Sequence, residues 1–372
     1  MLLPPPTSRL QVESSSATTL VLDGREFLAF AGCNYLGLAQ HPDVIAAAAL
    51  GLSRFGISTT ASRETTGNTT VHDLLEIELA GFVRQQAAIL LAEGYTANFA
   101  VAQGLSRLHG VALVDAKAHR SIRNAATAAG MQVMEYEHLN PDSAAWLARQ
   151  YADQGVALFT DGVFAADGAI APLPELLKAL PVRRATLVVD DCHGVCVMGE
   201  GGRGTVDHFQ LDDPRVCITT TLAKGLGCYG GAVLGRAAHI DEIRATSDVY
   251  RRSTPVPTPI AMAARAALAV VREQPALIAA LRRNIDAMRG QMQARGLPVH
   301  GDLVPVFTFV VDGGVEAMER VHARLFAAGI YAPLIEYPGG PSPRYFRLTV
   351  TASHTAEHIV RLGKELERAM GA

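Results

Sequence analysis

The sequence has no uncharged apolar run long enough to cross a bilayer, so no membrane-spanning helix is expected. It has no basic tract and a formal net charge of −3, which argues against a nucleic-acid partner. A long acidic run is missing too, so no disordered acidic tail is expected. Residues 1–8 carry no basic segment ahead of an apolar one, so they do not read as a secretory signal. The cysteines Cys33, Cys192, Cys196, Cys217 and Cys228 are odd in number and lack the spacing of a disulfide framework. They are expected to be reduced thiols in a cytoplasmic protein. Cys192-His-Gly-Val-Cys196 has the look of half a zinc site, but no second ligand pair with suitable spacing follows. Internal repeats are absent, and low complexity is confined to the N-terminal prolines.

What remains is the composition of a globular protein, 372 residues with 49% hydrophobic and 19% charged. That length supports one large domain and a smaller one. Residues 19–22 and 26–30 read as strands joined by a turn at Asp23-Gly24. A helix is expected over 42–55, opened by Pro42 and closed by Gly56. A hydroxyl-rich loop follows at 58–70. From His72 helices and short apolar strands alternate: helices at 72–83, 95–107, 120–129, 141–153 and 173–179, strands at 87–91, 111–115, 131–135, 156–160 and 185–189. This pattern predicts a mostly parallel sheet covered on both faces, joined by strands at 216–220 and 230–234. A helical region over 260–295, interrupted near Pro275, leads to a strand at 304–311, a helix at 315–328, a strand at 346–350 and a helix at 356–370. The composition shift at Ser253–Pro259 marks a domain boundary. The expected division is an N-terminal segment 1–38, a large domain 39–258 and a small α+β domain 259–372.

The chemistry centres on Lys224, in an apolar, glycine-rich turn after the strand-like Val216-Cys-Ile-Thr-Thr-Thr221. Partial desolvation there disfavours the ammonium and frees a neutral amine, as Schiff-base chemistry with an aldehyde cofactor requires. Ligands of open α/β sheets sit beyond the carboxyl ends of the strands. Those ends supply Gly94 and Tyr95 at a helix start suited to a phosphate, His119 as a flat ring, Asp161, Asp190, His193 and Thr221. A carboxylate closing so apolar a strand as the one before Asp190 needs a partner, and a pyridinium nitrogen is one.

Six segments together resemble the α-oxoamine synthases of the fold-type I pyridoxal-phosphate (PLP) enzymes. They are Asn34-Tyr-Leu-Gly-Leu-Ala-Gln-His-Pro42, Thr160-Asp-Gly-Val-Phe164, Val189-Asp-Asp-Cys-His-Gly194, Gly199-Glu-Gly-Gly-Arg-Gly204, Thr221-Leu-Ala-Lys-Gly225 and Phe346-Arg-Leu-Thr-Val-Thr-Ala-Ser-His-Thr355. The resemblance covers nearly the whole chain. It implies an aminotransferase-like α/β fold with a mainly parallel seven-stranded large domain, and a homodimer with shared active sites. By the same resemblance Lys224 is the Schiff-base lysine and proton acceptor, His119 stacks on the pyridine, Asp190 pairs with its nitrogen and His193 bonds its O3′. Gly94, Tyr95, Asp161 and Thr221 belong to the cofactor site, with Thr254 reaching it from the neighbouring subunit. Asn34 and Arg347 hold the amino-acid carboxylate, and Ser62 lies near its side chain. The implied reaction is the decarboxylating condensation of a small α-amino acid with an acyl thioester, on CoA or a carrier protein.

Several positions depart from the family pattern: Glu93, Ala165, Ala223, Thr59-Thr-Ala61 and Pro338-Gly-Gly340. An N-terminal helical extension common in the family is also not seen. The departures in the loops touch the acyl-donor region and leave open another PLP-dependent reaction at Cα, of aldolase, aminotransferase or decarboxylase type. A nicotinamide oxidoreductase using Gly199–Gly204 is the remaining alternative. That segment lacks a helix opening from it and a ribose-binding acid at the expected distance.

Overall fold

The computed structural model describes residues 10–299 and 304–371. The proline-rich start at residues 1–8 lies outside the described residues. In chain order the first strands are β1 (Ser14–Ser15), β2 (Thr19–Leu22), β3 (Arg25–Ala29), β4 (Ala87–Leu91), β5 (Val111–Asp115), β6 (Gln132–Tyr136) and β7 (Val156–Asp161). They are followed by β8 (Ala185–Asp190), β9 (Val216–Thr221), β10 (Gly231–Gly235), β11 (Val306–Phe309), β12 (Ile330–Tyr331), β13 (Leu334–Ile335) and β14 (Tyr345–Thr349). The helices are α1 (Pro42–Phe55), α2 (Thr70–Phe82), α3 (Gly94–Leu105), α4 (Arg120–Ala128), α5 (Pro141–Gln150), α6 (Leu173–Ala179) and α7 (Thr205–His208). After them come α8 (Ala237–Thr246), α9 (Asp248–Arg251), α10 (Thr258–Glu273), α11 (Ala276–Gln293), α12 (Gly314–Ala327) and α13 (Ala356–Met370).

The central sheet has seven strands in the order β4-β10-β9-β8-β7-β5-β6. The neighbours from β9 to β6 are parallel. β10 runs antiparallel to both β4 and β9. The reason lies in the connection 222–230, which is too short for a crossover and must reverse the chain. Because Lys224 sits in that connection, the reversal also delivers it to the carboxyl end of the sheet. β7 and β8 are buried at every position, as strands covered on both faces should be. Alternate residues feed separate cores: Leu113, Leu158, Leu187 and Ile218 on one face, and Val114, Phe159, Val188 and Cys217 on the other.

The N-terminal hairpin turns through Asp23 (φ 49°) and Gly24 (φ 70°), the paired positive φ values of a tight hairpin turn. Its strand β3 pairs in parallel with β12, so residues near the N-terminus join a sheet with residues near 330. β14 is flanked by β11 and β13, both antiparallel to it. The long helical region breaks at Gln274-Pro275 into α10 and α11, as the proline requires.

What positions the site is the register at the carboxyl edge. Asp161, Asp190 and Thr219 stand side by side as the paired residues of β7, β8 and β9. One ligand placed over that edge can reach all three strand ends.

Candidate active site

A cavity of about 210 Å³ opens over this edge, with Gly94, His119, Asp161, Asp190, His193 and Lys224 in its wall. Tyr95, Thr221 and the departures Glu93, Ala165 and Ala223 line it as well. Larger grooves of about 800 and 740 Å³ lie elsewhere, both bordered by Arg84 and Arg282 and neither containing Lys224. Size and chemistry disagree here, and the titratable cluster identifies the smaller cavity as the site.

Lys224 Nζ lies 2.7 Å from His193 Nε2. On its other side, His193 Nδ1 is 2.6 Å from the phenol of Tyr35, which is fully buried. Burial first, then the neighbouring cations Lys224 and Arg347, hold His193 well below its ordinary pKa. The imidazole is therefore neutral and carries one ring proton between two partners. Burial pushes the Tyr35 phenol up, so it keeps its proton.

A second chain of hydrogen bonds fixes Asp190. Its Oδ2 accepts from Asn98 Nδ2 at 2.7 Å, and its Oδ1 accepts from Cys192 N at 3.2 Å. Asn98 Oδ1 accepts from Thr219 Oγ1 at 2.8 Å, which sets the orientation of the amide. The other Asn98 donor reaches Ser121 Oγ at 2.9 Å, and Ser121 lies 2.7 Å from His119 Nδ1. Ser121 accepts from Asn98 and donates to His119, so the His119 proton resides on Nε2. Burial also lowers the His119 pKa, leaving a neutral ring.

Asp161 has its own task. Its Oδ2 accepts the backbone N–H of His119 at 2.8 Å, which anchors the start of α4. Burial first and the Asp190 carboxylate second push the Asp161 pKa well up. Two acids in register cannot both ionise cheaply.

The amino-terminal end of α3 supplies an anion cradle. Its first helical bond runs from Ala97 N to Glu93 O at 3.2 Å, leaving the N–H groups of Gly94 and Tyr95 outside the ladder. A Cβ at Gly94 would stand 2.8 Å from Thr221 Cβ and 3.3 Å from Cys192 Sγ, so this approach requires glycine. Thr221 Oγ1 donates to Gly230 O at 3.0 Å and accepts from Ala223 N at 3.1 Å, closing the turn that holds Lys224. The Tyr95 phenol accepts from Asn124 Nδ2 at 2.8 Å, and its ring meets that of His119 edge-on at 6.3 Å.

The set fits pyridoxal phosphate: an amine for the aldehyde, an aligned carboxylate for the ring nitrogen, a neutral imidazole for each of face and phenolate, and free N–H groups for the phosphate. Not every expected residue joins the cavity wall. Arg347 is not in the wall, but its Nε donates at 2.7 Å to the carbonyl of Ala165, which is. The Asn34 side chain bonds Gln40 Oε1 at 2.9 Å and Ala39 N at 3.2 Å within its own turn. Ser62 is half-buried in the 58–69 loop and Thr254 is exposed, and neither lines the cavity. Glycines 194 and 204 both pack their bare Cα against the Asp191 carboxylate, which accepts from Thr205 N and Thr205 Oγ1 at 2.8 Å each. The glycine-rich 199–204 segment therefore encloses a buried acid and does not open a dinucleotide site.

Tyr35, Asn98, Ser121 and Thr219 carry no expected role from the sequence, although Tyr35 and Thr219 lie inside the segments that do. Asn98 left one signal, a polar residue one turn past Gly94 in a helix otherwise apolar on that face. Thr219 shares a strand face with Thr221, and Ser121 follows His119 by two.

Residues 25–366 match the model of the aminotransferase class I and II family. The chain is 36% identical to an 8-amino-7-oxononanoate synthase of Thioalkalivibrio sulfidiphilus, covering 98% of this chain and 93% of that protein. Identity is 35% to the same enzyme of Methylococcus capsulatus, covering 96% and 93%. The chain belongs to the α-oxoamine synthases. It is thus a PLP-dependent acyltransferase that condenses a small α-amino acid with an acyl thioester and releases carbon dioxide. Among solved structures, a serine palmitoyltransferase from S. paucimobilis superposes with a TM-score of 0.90 at 23% identity, covering 98% of this chain and 93% of that one. That likeness concerns the fold alone.

Proposed function

We propose that this α-oxoamine synthase takes alanine as its amino acid and a seven-carbon acyl thioester with a carboxylate at its far end as its acyl donor. The support is the product named for the relatives, 8-amino-7-oxononanoate. Its amine-bearing carbon and terminal methyl are what alanine leaves after losing carbon dioxide. The remainder is an ω-carboxylated acyl chain ending in the ketone. One carbon–carbon bond forms between alanine Cα and the thioester carbonyl, the thiol departs, and the alanine carboxylate leaves as carbon dioxide.

When bound, PLP supplies an aldehyde for the amine and a ring that accepts the electron pair released at Cα. The chain supplies the rest. Lys224 Nζ, 2.7 Å from His193, would be the base that takes the Cα proton. His193, kept neutral, hands one proton between Lys224 and Tyr35 and so holds both in place. Asp190, fixed by Asn98, would keep a bound ring nitrogen protonated, and His119 would lie against the ring. Asp161 acts through the His119 backbone. Gly94, Tyr95 and Thr221 receive the phosphate, with Thr254 contributed by a second subunit. Arg347 receives the alanine carboxylate, its planar fork matching the two oxygens.

A homodimer is part of this reading. It is supported by exposed apolar side chains on neighbouring elements: Ile45, Leu50 and Leu52 on α1, Ile57 after it, and Leu74 and Ile77 on α2. No helix among the described residues is long and apolar enough to cross a membrane, and all five cysteines are free thiols, which fits the cytoplasm.

The catalytic part of the proposal is carried by the Lys224–His193 contact beside an anchored Asp190, and the substrates by the product named for the relatives. The experiment has two stages. Purified protein incubated with PLP should turn yellow, and borohydride should fix the cofactor mass on the Lys224 peptide. Alanine with the ω-carboxylated seven-carbon thioester, offered on CoA and on a carrier protein, should then yield the nine-carbon amino ketone by mass spectrometry. No adduct at Lys224 refutes the site. A coloured enzyme that makes ketone only from another pair refutes the substrates.

A further inference from the structure

Away from the catalytic cavity, the groove of about 740 Å³ is bordered by five arginines, Arg84, Arg203, Arg272, Arg282 and Arg283, with no acid among its described lining residues. They come from separate parts of the chain. Arg84 follows α2, Arg203 belongs to the glycine-rich 199–204 segment, Arg272 ends α10, and Arg282 and Arg283 stand on α11. Two acids outside the lining hold one side. Arg84 lies 3.6 Å from Glu200 and 3.3 Å from Asp207, and Arg203 lies 2.9 and 3.6 Å from the same two carboxylates. Arg282 Nη2 donates to Gly199 O at 2.6 Å. Arg272 and Arg283 are exposed and have no ion pair among the described residues. Five arginines against two acids leave three positive charges unmatched along one groove. A cleft lined by one sign of charge concentrates the opposite sign.

The floor of the groove is apolar, made by the buried side chains of Phe82, Val271 and Ile278. A Cβ at Gly202 would stand 2.9 Å from Ile278 Cδ1 and 3.1 Å from Cys196 Cα, so this glycine lets the segment carrying Arg203 close against α11. The volume is that of a small-molecule site, for which about 300–1,000 Å³ is usual, and a bare phosphate would fill only a small part of it. We propose that this groove is a binding site for a nucleoside diphosphate group, separate from the catalytic cavity. The two phosphates meet Arg272, Arg282 and Arg283, whose planar forks match phosphate oxygens in pairs, and the base lies on the apolar floor. Arg84 and Arg203, already held by Glu200 and Asp207, close the far side.

The test titrates ADP, pyrophosphate, inorganic phosphate and adenosine into the PLP-loaded holoenzyme by calorimetry, with the catalytic phosphate cradle already occupied. ADP should bind most tightly, and pyrophosphate about three- to tenfold more weakly for want of the base. Inorganic phosphate should be weaker still, and adenosine should give no measurable binding. Added salt should weaken ADP binding. The double variant Arg272→Ala, Arg283→Ala changes exposed helix positions and should weaken ADP at least about tenfold, with kcat and both KM values within about twofold. Arg149→Ala, an exposed arginine of α5 outside the groove, should leave ADP affinity within about twofold. Phenylglyoxal on the parent holoenzyme supplies a second measurement: ADP should protect Arg272, Arg282 and Arg283 and leave Arg149 reactive. Absence of saturable ADP binding, an affinity unmoved in the double variant, or pyrophosphate bound as tightly as ADP overturns the proposal. So does a raised thioester KM in the double variant, which would make the groove part of the acyl-donor site. Should the double variant not fold, the protection pattern in the parent decides.

Discussion

Asn98→Ala removes a residue that touches no ligand, yet the structure ties it to three groups of the site. Its amide gives a 2.7 Å bond to the Asp190 carboxylate and a 2.9 Å bond to Ser121, and receives 2.8 Å from Thr219. The Asp190 bond is charge-assisted and buried, worth about 1.5–3 kcal/mol. If Asp190 then loses its alignment with the ring nitrogen, PLP affinity falls by roughly ten- to hundredfold, since 1.4 kcal/mol is about one decade. The measurement is a PLP titration of apo-protein by absorbance, paired with melting curves with and without cofactor. PLP should stabilise the variant much less than the parent. Asn98→Asp is the sharper companion, because it keeps the shape and sets a second carboxylate against Asp190. It should lose more affinity at neutral pH and regain part of it on acidification. An unchanged PLP affinity in Asn98→Ala, with melting lowered equally in both states, would show the network to be scaffolding only.

Tyr35→Phe removes the 2.6 Å partner of His193 Nδ1 and should lower kcat about tenfold with PLP binding intact, read by steady-state kinetics. Gly94→Ala places a methyl 2.8 Å from Thr221 Cβ, and equilibrium dialysis should show PLP bound at least about tenfold more weakly in a folded protein. Asp161→Asn should be mild, within about threefold in PLP affinity, because an asparagine oxygen still accepts the His119 N–H and burial already disfavours the charge. A severe loss there would mean that the Asp161 charge itself meets the cofactor.

Much of this was legible because continuous apolar strands ending in a charged or hydroxyl residue are hard to mistake. Ala185–Asp190 and Val216–Thr221 announced both the sheet and its functional edge. What escaped has physical reasons. β12 and β13 are two residues each, too short to show a period, and β12 pairs with the distant β3. α8, over Ala237–Thr246, mixes charge and alanine so that no apolar stripe stands out. The direction of β10 follows from loop length, and the alternation of apolar residues is silent on it. Asn98 and Tyr35 act from the interior, where a polar atom on an apolar element is easily read as packing.

Two histidines far from the chemistry and one aspartate next to Asp190 give the fold an opposed pH response. His354 Nδ1 accepts from Thr351 N at 3.0 Å, its Nε2 meets Ala29 O at 3.1 Å, and its ring stacks on Phe30 at 4.6 Å. Only the neutral imidazole satisfies both bonds, and burial lowers its pKa to about 4. His109, bonded to Thr186 Oγ1 at 2.8 Å, is also lowered to about 4 by burial. In the unfolded chain each titrates near 6.5, so between about 6.5 and 4 the unfolded state binds more protons and stability falls as pH falls. Each histidine is worth about 3 kcal/mol over that window. Asp191 works in the other direction, since burial raises its pKa to about 7. The folded state then holds the extra proton, and stability falls as pH rises from about 4 to 7, by on the order of 4 kcal/mol. Urea unfolding of apo-protein at several pH values separates them. His354→Gln should flatten the acid side of the profile, and Asp191→Asn, which can keep both Thr205 bonds, should remove the opposing decline and steepen the net rise of stability with pH. The same change of slope in both variants would contradict the opposite signs that their burial demands.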